Sequence, residues 1–292
     1  MILLGRSLVL LLGIALGVAP ATISAQALPP VYFNHVTIFL SPSAYAVLAQ
    51  SAFLRGEFSG FEEQTVQRDA GKWSYTGIYI FGQHTYFEFL KAGQDQHFGS
   101  TVPGQIVFNM WIDDRSQMDH FKDRLAAESG TSLLIDTARN AQNQPMYDKV
   151  VSQGGPANDL GPGLRVDTYI KGYYPDGVTR ERRLEGRFLA ERQLHDITGF
   201  TLTVDERERN RLVQQFRAYS YQISNDSTKQ VVSGPGVTFT LVPAKSSAPR
   251  TLLIDFSLIR TSKDERVYKF DDGGEIRMQG STGKWVFAFP TE

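Results

Sequence analysis

The chain has 292 residues, with 30 basic and 31 acidic side chains and a formal net charge of −1. That balance, with no basic stripe along the chain, excludes nucleic acid as the expected partner. The absence of cysteine excludes thiol chemistry and disulfide stapling, so stability must come from buried core.

Aromatic residues make up 12% of the chain and glycine occurs 26 times, which suits a sheet-rich globular protein. At the N-terminus, Arg6 precedes an apolar run, Leu8–Val18, and Ala25-Gln26-Ala27 forms a small-x-small site. This is the pattern of a secretory signal peptide over residues 1–27, cleaved after Ala25 or Ala27. The apolar run is too short for a membrane span. The expected product is exported, periplasmic or secreted, with no stable membrane insertion after cleavage.

Val31–Leu40 reads as a strand, rich in β-branched and aromatic residues. Ser41 and Pro42 then predict a helix start, as N-cap and first helical residue. Tyr45, Leu48, Ala49, Ala52 and Phe53 recur at helical spacing, and Gly56 is the expected end. Glu63–Arg68, Ser74–Phe81 and Thr85–Ala92 follow as strands. The order begins again with Gln105–Ile112, a helix capped by Asp113-Asp114 and bearing Met118, Phe121 and Leu125, then Thr131–Thr137, a weaker Tyr147–Ser152 and Leu164–Tyr174. Gly154–Gly163 reads as a loop, and Arg180–Arg192 as a charged helical connector. A third start is Ile197–Val204, with Asp205 and Glu208 spaced as a capping box before Leu212, Val213, Phe216 and Tyr219. Tyr221–Ser224, Val237–Val242 and Thr251–Arg260 are further strands, Lys245–Pro249 a loop, and Val267–Phe289 a hairpin or two with turns at Asp271–Gly274 and Gly280–Gly283.

Three such starts predict an α+β protein of repeated βαβββ modules forming cupped mixed sheets. Two modules fall in residues 28–180, and a third, with a C-terminal hairpin, in 181–292. Because modules usually pair, an odd number leaves three readings: the third pairs with the first, the tail completes it, or one start is misread.

Alternation along a strand puts Phe33, His35, Thr37 and Phe39 on one face of Val31–Leu40, and Asn34, Val36, Ile38 and Leu40 on the other. In Thr85–Ala92 it puts Tyr86, Glu88 and Leu90 together, opposite Phe87 and Phe89. His35 and Glu88 are therefore candidates to point into one cup. An imidazole and a carboxylate are suitable ligands for Zn, Mn, Fe or Ni, and two protein ligands leave positions for substrate oxygens. The alternative is that both are tied up in structural hydrogen bonds.

The runs FNHVTIFLSPSAY, FLRGEF and SYTGIYIFGQHTYFEFL, within residues 31–93, resemble a glyoxalase-like family of secreted or cell-envelope proteins in the vicinal-oxygen-chelate superfamily. The resemblance implies paired βαβββ modules in a cupped sheet. It implies a divalent metal held by His35 and Glu88, with Glu88 also a candidate catalytic base. In the third module Gly199 stands where His35 does, and Asp255 in LLIDFSL is the candidate substitute ligand; Asp167 is the nearest equivalent in the second. The resemblance also allows a metal-free small-molecule-binding module.

The remaining histidines read otherwise: His84 in an exposed turn, His97 in a surface loop, His120 on a helix surface, His195 just before a strand. Tyr79, Phe81, Phe87 and Phe89 read as core, and Tyr86 as a pocket wall. No G-x-S-x-G elbow, H-E-x-x-H pair, P-loop or dinucleotide fingerprint is present. The expected partner is a small molecule.

Overall fold

The computed structural model describes residues 30–93, 102–112, 118–130, 133–152, 164–170, 184–226, 228–244 and 250–289, with backbone only for 118, 129, 151–152 and 164–170. The signal peptide, His97, the Asp113-Asp114 cap, and the loops Gly154–Gly163 and Lys245–Pro249 lie outside these residues. None of the described helices is long and apolar enough to cross a membrane.

The first module runs β1 (Tyr32–Leu40), α1 (Pro42–Gln50), β2 (Gly60–Arg68), β3 (Trp73–Phe81) and β4 (Tyr86–Lys91). The second runs β5 (Ile106–Ile112), α2 (Met118–Ser129), β6 (Leu133–Arg139), β7 (Pro145–Ser152) and β8 (Leu164–Ile170). Together they form one eight-stranded sheet in the order β2-β3-β4-β1-β5-β8-β7-β6, joined where β1 pairs antiparallel with β5. The sheet is curled: just past its β2 edge, Ala70 N–H donates to Asn140 O near the β6 edge at 3.1 Å. The fold is thus α+β, with two βαβββ modules joined in one curled mixed sheet.

The third module runs β9 (Leu194–Val204), α3 (Glu206–Ala218), β10 (Gln222–Asn225), β11 (Gln230–Gly234) and β12 (Val237–Pro243). Its missing partner is supplied by β13 (Arg250–Lys269) and β14 (Glu275–Phe289), which give a six-stranded sheet, β10-β11-β12-β9-β13-β14. The tail is therefore one long hairpin with its turn at Asp271–Gly273. Gly280–Gly283 is not a second turn but part of β14, where Ser262 pairs with Gly280 across a register slip.

Local chemistry explains the element boundaries. Ser41 Oγ accepts from Ala44 N–H at 3.1 Å, and Asp205 and Glu208 close a reciprocal capping box. The first helix ends at Gln50, before Gly56; a separate wide helical turn, Leu54–Phe58, follows, and Ala52 is exposed. Residues 184–192 form turns leading into β9, not a helix.

Alternate residues of both sheets meet in one core with the helices. Ala44, Tyr45 and Leu48 of α1 join Val36 and Ile38 of β1 and Phe200, Phe239 and Trp285 of the second sheet. Phe33 lies edge-on to Phe200 at 5.0 Å, and Phe89 lies 5.1 Å from Trp285. Burial of this many apolar side chains is the main stabilising term.

Candidate functional site

The other face of the eight-stranded sheet is concave, and its middle is polar. One register row crosses it as Tyr86, His35, Asn109 and Asp167, and the next runs Tyr79, Glu88, Thr37 and Val107. Two apolar clusters flank these rows. Tyr79, Phe81, Tyr86 and Leu184 lie at one end; Phe39, Leu90 and Val107 lie at the other.

A β-bulge sets the geometry. Phe33 pairs with Met110 and His35 with Asn109, so Asn34 is the extra residue. Simple alternation placed Phe33 beside His35; the bulge instead turns Phe33 into the shared core and leaves His35 in the cup. The second module has FNM where the first has FNHV, with Asn109 alone in place of Asn34-His35. The inserted residue brings an imidazole to the concave face without displacing the core positions on either side.

His35 Nε2 lies 3.4 Å from Glu88 Oε2, and both side chains are buried. The His35 ring stacks on Tyr86 at 4.2 Å, which fixes its plane. Asn34 Nδ2 lies 2.9 Å from His35 Nδ1. That amide can donate to a bare Nδ1 or, turned end for end, accept from Nδ1–H; the second arrangement leaves Nε2 bare. Thr37 Oγ1 donates to Glu88 Oε2 at 2.6 Å and accepts from Asn109 Nδ2 at 3.0 Å.

A third set of donors reaches Glu88 through tyrosines. Electrostatic interactions link Glu88 to Tyr79, Tyr79 to Tyr75 and Tyr75 to Arg68, a run of polar groups from β2 to the carboxylate. A guanidinium only donates and a carboxylate only accepts. A proton order from Arg68 through Tyr75 and Tyr79 to Glu88 satisfies both ends of that run. Burial pushes the Glu88 carboxyl up, but His35, Thr37 and Tyr79 outweigh it and hold the group below the usual range. Burial, then the Glu88 charge, pushes the Tyr79 phenol far above its usual value, so it stays a donor.

The other candidates sit elsewhere. The fourth strand of the third module is β12, where Thr240 pairs with Thr201 as Glu88 pairs with Thr37. The position of Glu88 there is Thr240, not Asp255. Asp255 lies on β13, opposite Gly199 on the far side of β9, and faces Lys284 at 3.6 Å. His35 and Glu88 therefore do not meet Asp255, and among the described residues no three His, Cys, Asp or Glu side chains cluster as a metal site. Of Asp167, the strand position opposite Asn109 is described.

His84 is not a free turn residue: its Nδ1 lies 2.8 Å from Asp196 Oδ2. Asp196 also accepts from the His84 and Thr85 backbone, and His195 Nε2 lies 2.8 Å from Gln83 Oε1. These groups latch the β3–β4 turn onto the start of β9. His120 is exposed on α2. Sequence reasoning did not single out Thr37, Asn109, Tyr79 or Arg68 as members of the site. For Tyr79 the signal was its place opposite Glu88 in a short hairpin; for Thr37, its position two residues after His35.

A profile of the family of unknown function DUF5829 matches residues 33–287. This chain belongs to DUF5829. No curated protein matches its sequence. Among solved structures, a hypothetical protein from Staphylococcus aureus superposes with a TM-score of 0.52 at 10% identity, covering 89% of the DUF5829 chain and 100% of its own. That likeness is one of fold alone. A xylose isomerase-like TIM barrel/4-hydroxyphenylpyruvate dioxygenase fusion protein superposes at 0.46 with 10% identity, over 78% of the DUF5829 chain and 35% of its own. A triple mutant of 4-hydroxymandelate synthase from Streptomyces coelicolor superposes at 0.44 with 11% identity, over 74% and 63%.

Proposed function

We propose that this DUF5829 protein is a metal-dependent enzyme of the glyoxalase-like type, with His35 and Glu88 holding a divalent ion against a small oxygen-chelating substrate. The observation that carries this reading is the 3.4 Å between His35 Nε2 and Glu88 Oε2 on one concave face. Two ligands about 2.1 Å from one ion lie about 3.0–3.4 Å apart at octahedral or tetrahedral angles. An imidazole and a carboxylate suit Zn, Mn, Fe or Ni. With a neutral imidazole, the floor of the cup carries one net negative charge among uncharged donors, a setting that favours a cation.

A divalent ion there supplies Lewis acidity to substrate oxygens. The chain's own residues supply position. Tyr86 fixes the imidazole plane, Asn34 selects which ring nitrogen is bare, and Thr37 and Tyr79 hold the Glu88 carboxylate in one orientation. Glu88 is also the group able to take a proton from a substrate carbon or oxygen, because it is kept ionised in a dry site.

The test is metal content and titration of the purified protein with Mn²⁺ or Zn²⁺. We expect about one ion per chain, and its loss in His35→Ala and Glu88→Ala with folding intact. Equal metal binding in the variants would overturn the assignment. The second reading is a metal-free binding module. It is favoured by the bonds that His35, Thr37 and Tyr79 already make to Glu88, and it predicts a folded, ligand-binding, metal-free protein. Export is part of the proposal; Leu8–Val18 and the alanines at 25 and 27 support it, and N-terminal sequencing of envelope-fraction protein tests it.

A further inference from the structure

We infer that Arg68 is an anion subsite of the cup and that the molecule bound there carries a carboxylate. The inference rests on the cup being the ligand site and goes further, to the class of ligand.

Arg68 closes β2, and its side chain lies among Tyr75, Tyr79 and Tyr147, the last contributed by β7 from the far side of the curled sheet. Its described partners are the Tyr75 hydroxyl and the Met146 sulfur, 3.1 Å from Nη1. A guanidinium has five N–H donors, and neither partner carries charge. The neighbouring charged pair on this part of the sheet, Lys149 with Asp136 at 3.5 Å, is internally balanced. Among the described residues Arg68 meets no carboxylate, although a partly buried guanidinium among aromatic rings calls for one.

The rest of the site narrows the anion. A single guanidinium with a flat fork matches a monoanionic carboxylate, two parallel bonds to two oxygens. The walls between Arg68 and the polar floor are phenol rings, Tyr75 and Tyr79, which suit a flat, apolar body. The ligand this describes has a carboxylate at one end for Arg68 and neighbouring oxygens at the other for His35 and Glu88.

A matched pair of probes isolates the carboxylate: 3,4-dihydroxybenzoate and 4-methylcatechol, which differ in having an anionic or a neutral group opposite the same two hydroxyls. Calorimetric titration of the full protein, with and without Mn²⁺, is expected to give about 10–100-fold tighter binding of 3,4-dihydroxybenzoate, the range of a charged hydrogen-bonded pair. Arg68→Met is expected to abolish the preference, bringing 3,4-dihydroxybenzoate to the affinity of 4-methylcatechol, with Arg68→Lys intermediate. No preference in the wild type, or one that survives in Arg68→Met, overturns the inference. So does an equal loss for both probes, the mark of a residue that only rivets β2 to β7. If the preference appears and Mn²⁺ changes the affinity of neither probe, the carboxylate subsite stands and the metal reading falls. If both probes bind only with Mn²⁺ and equally well, the metal reading stands and the subsite falls.

Discussion

The two sheets are built on the same module yet have opposite interiors. In the first, His35, Thr37 and Glu88 are buried on the concave face. In the second, the matching register positions are Gly199, Thr201 and Thr240, and both threonines are half-buried. Across the first strand, His35 faces Asn109 on β5, while Gly199 faces Asp255 on β13. One face of each sheet is spent on the shared core, so only the other face is free to differ. The first sheet fills it with a run of polar groups ending on a carboxylate. The second leaves a threonine-rich surface with a Lys284–Asp255 pair at its edge. The backbone placement is common and the chemistry is not, so function must be argued from side chains.

The sharpest way to break this comparison is through the core that both sheets share. Trp285 packs on Phe58, Phe87 and Phe89, and its Nε1–H donates to Gly273 O at 3.0 Å. Trp285→Ala is expected to cost about 3–5 kcal/mol and to lower both sheets' stability together. Chemical denaturation followed by two probes, one on each sheet, checks it; separated transitions would show two independent cores.

Next in size is the matched pair Thr37 and Thr201. Thr37→Val leaves Glu88 and Asn109 each short of a buried partner and should cost about 1–3 kcal/mol. Thr201→Val, at the same register position of the second sheet, should stay within about 0.5 kcal/mol. Equal costs from urea melts would mean that the buried network adds nothing.

Asn34→Ala should lower metal affinity about 10–100-fold while sparing the fold, because it frees the imidazole to take the wrong tautomer. Competition with a chelating dye reads this directly; unchanged affinity would remove Asn34 from the site.

The smallest expected effect is on pH. The Glu88 carboxyl is held below its unfolded value, so its contribution is full above about pH 4.3 and fades as pH falls through the folded value. In metal-free protein, Glu88→Gln should lose stability at neutral pH and flatten the acid limb of a Tm-against-pH curve. A variant that follows the wild type throughout would contradict the shift.

Much of this was legible along the chain. The caps at Ser41 and Asp205, the apolar periodicity of the helices and the alternation in Thr85–Ala92 are local, and each reports its own element. Alternation also put His35 and Glu88 on one face, because only the residues before His35 are disturbed by the bulge. The bulge itself was not legible: it depends on how β5 pairs, and nothing in VYFNHV marks Asn34 as the extra residue. Asp255 was misplaced for a related reason. Its sequence neighbourhood resembles a fourth strand, but that role belongs to β12, and β13 is the partner the odd module needed. The run from Arg68 to Glu88 joins β2, β3 and β4, and it forms only once the three meet.

The central claim is that one ion sits between His35 and Glu88. Crystals soaked in Mn²⁺ and measured for anomalous scattering test it most directly. The account predicts a single strong peak about 2.0–2.3 Å from both His35 Nε2 and a Glu88 oxygen, absent in Glu88→Ala crystals treated alike. A cup with no peak, and with the imidazole still 3.4 Å from an unbridged carboxylate, would contradict it.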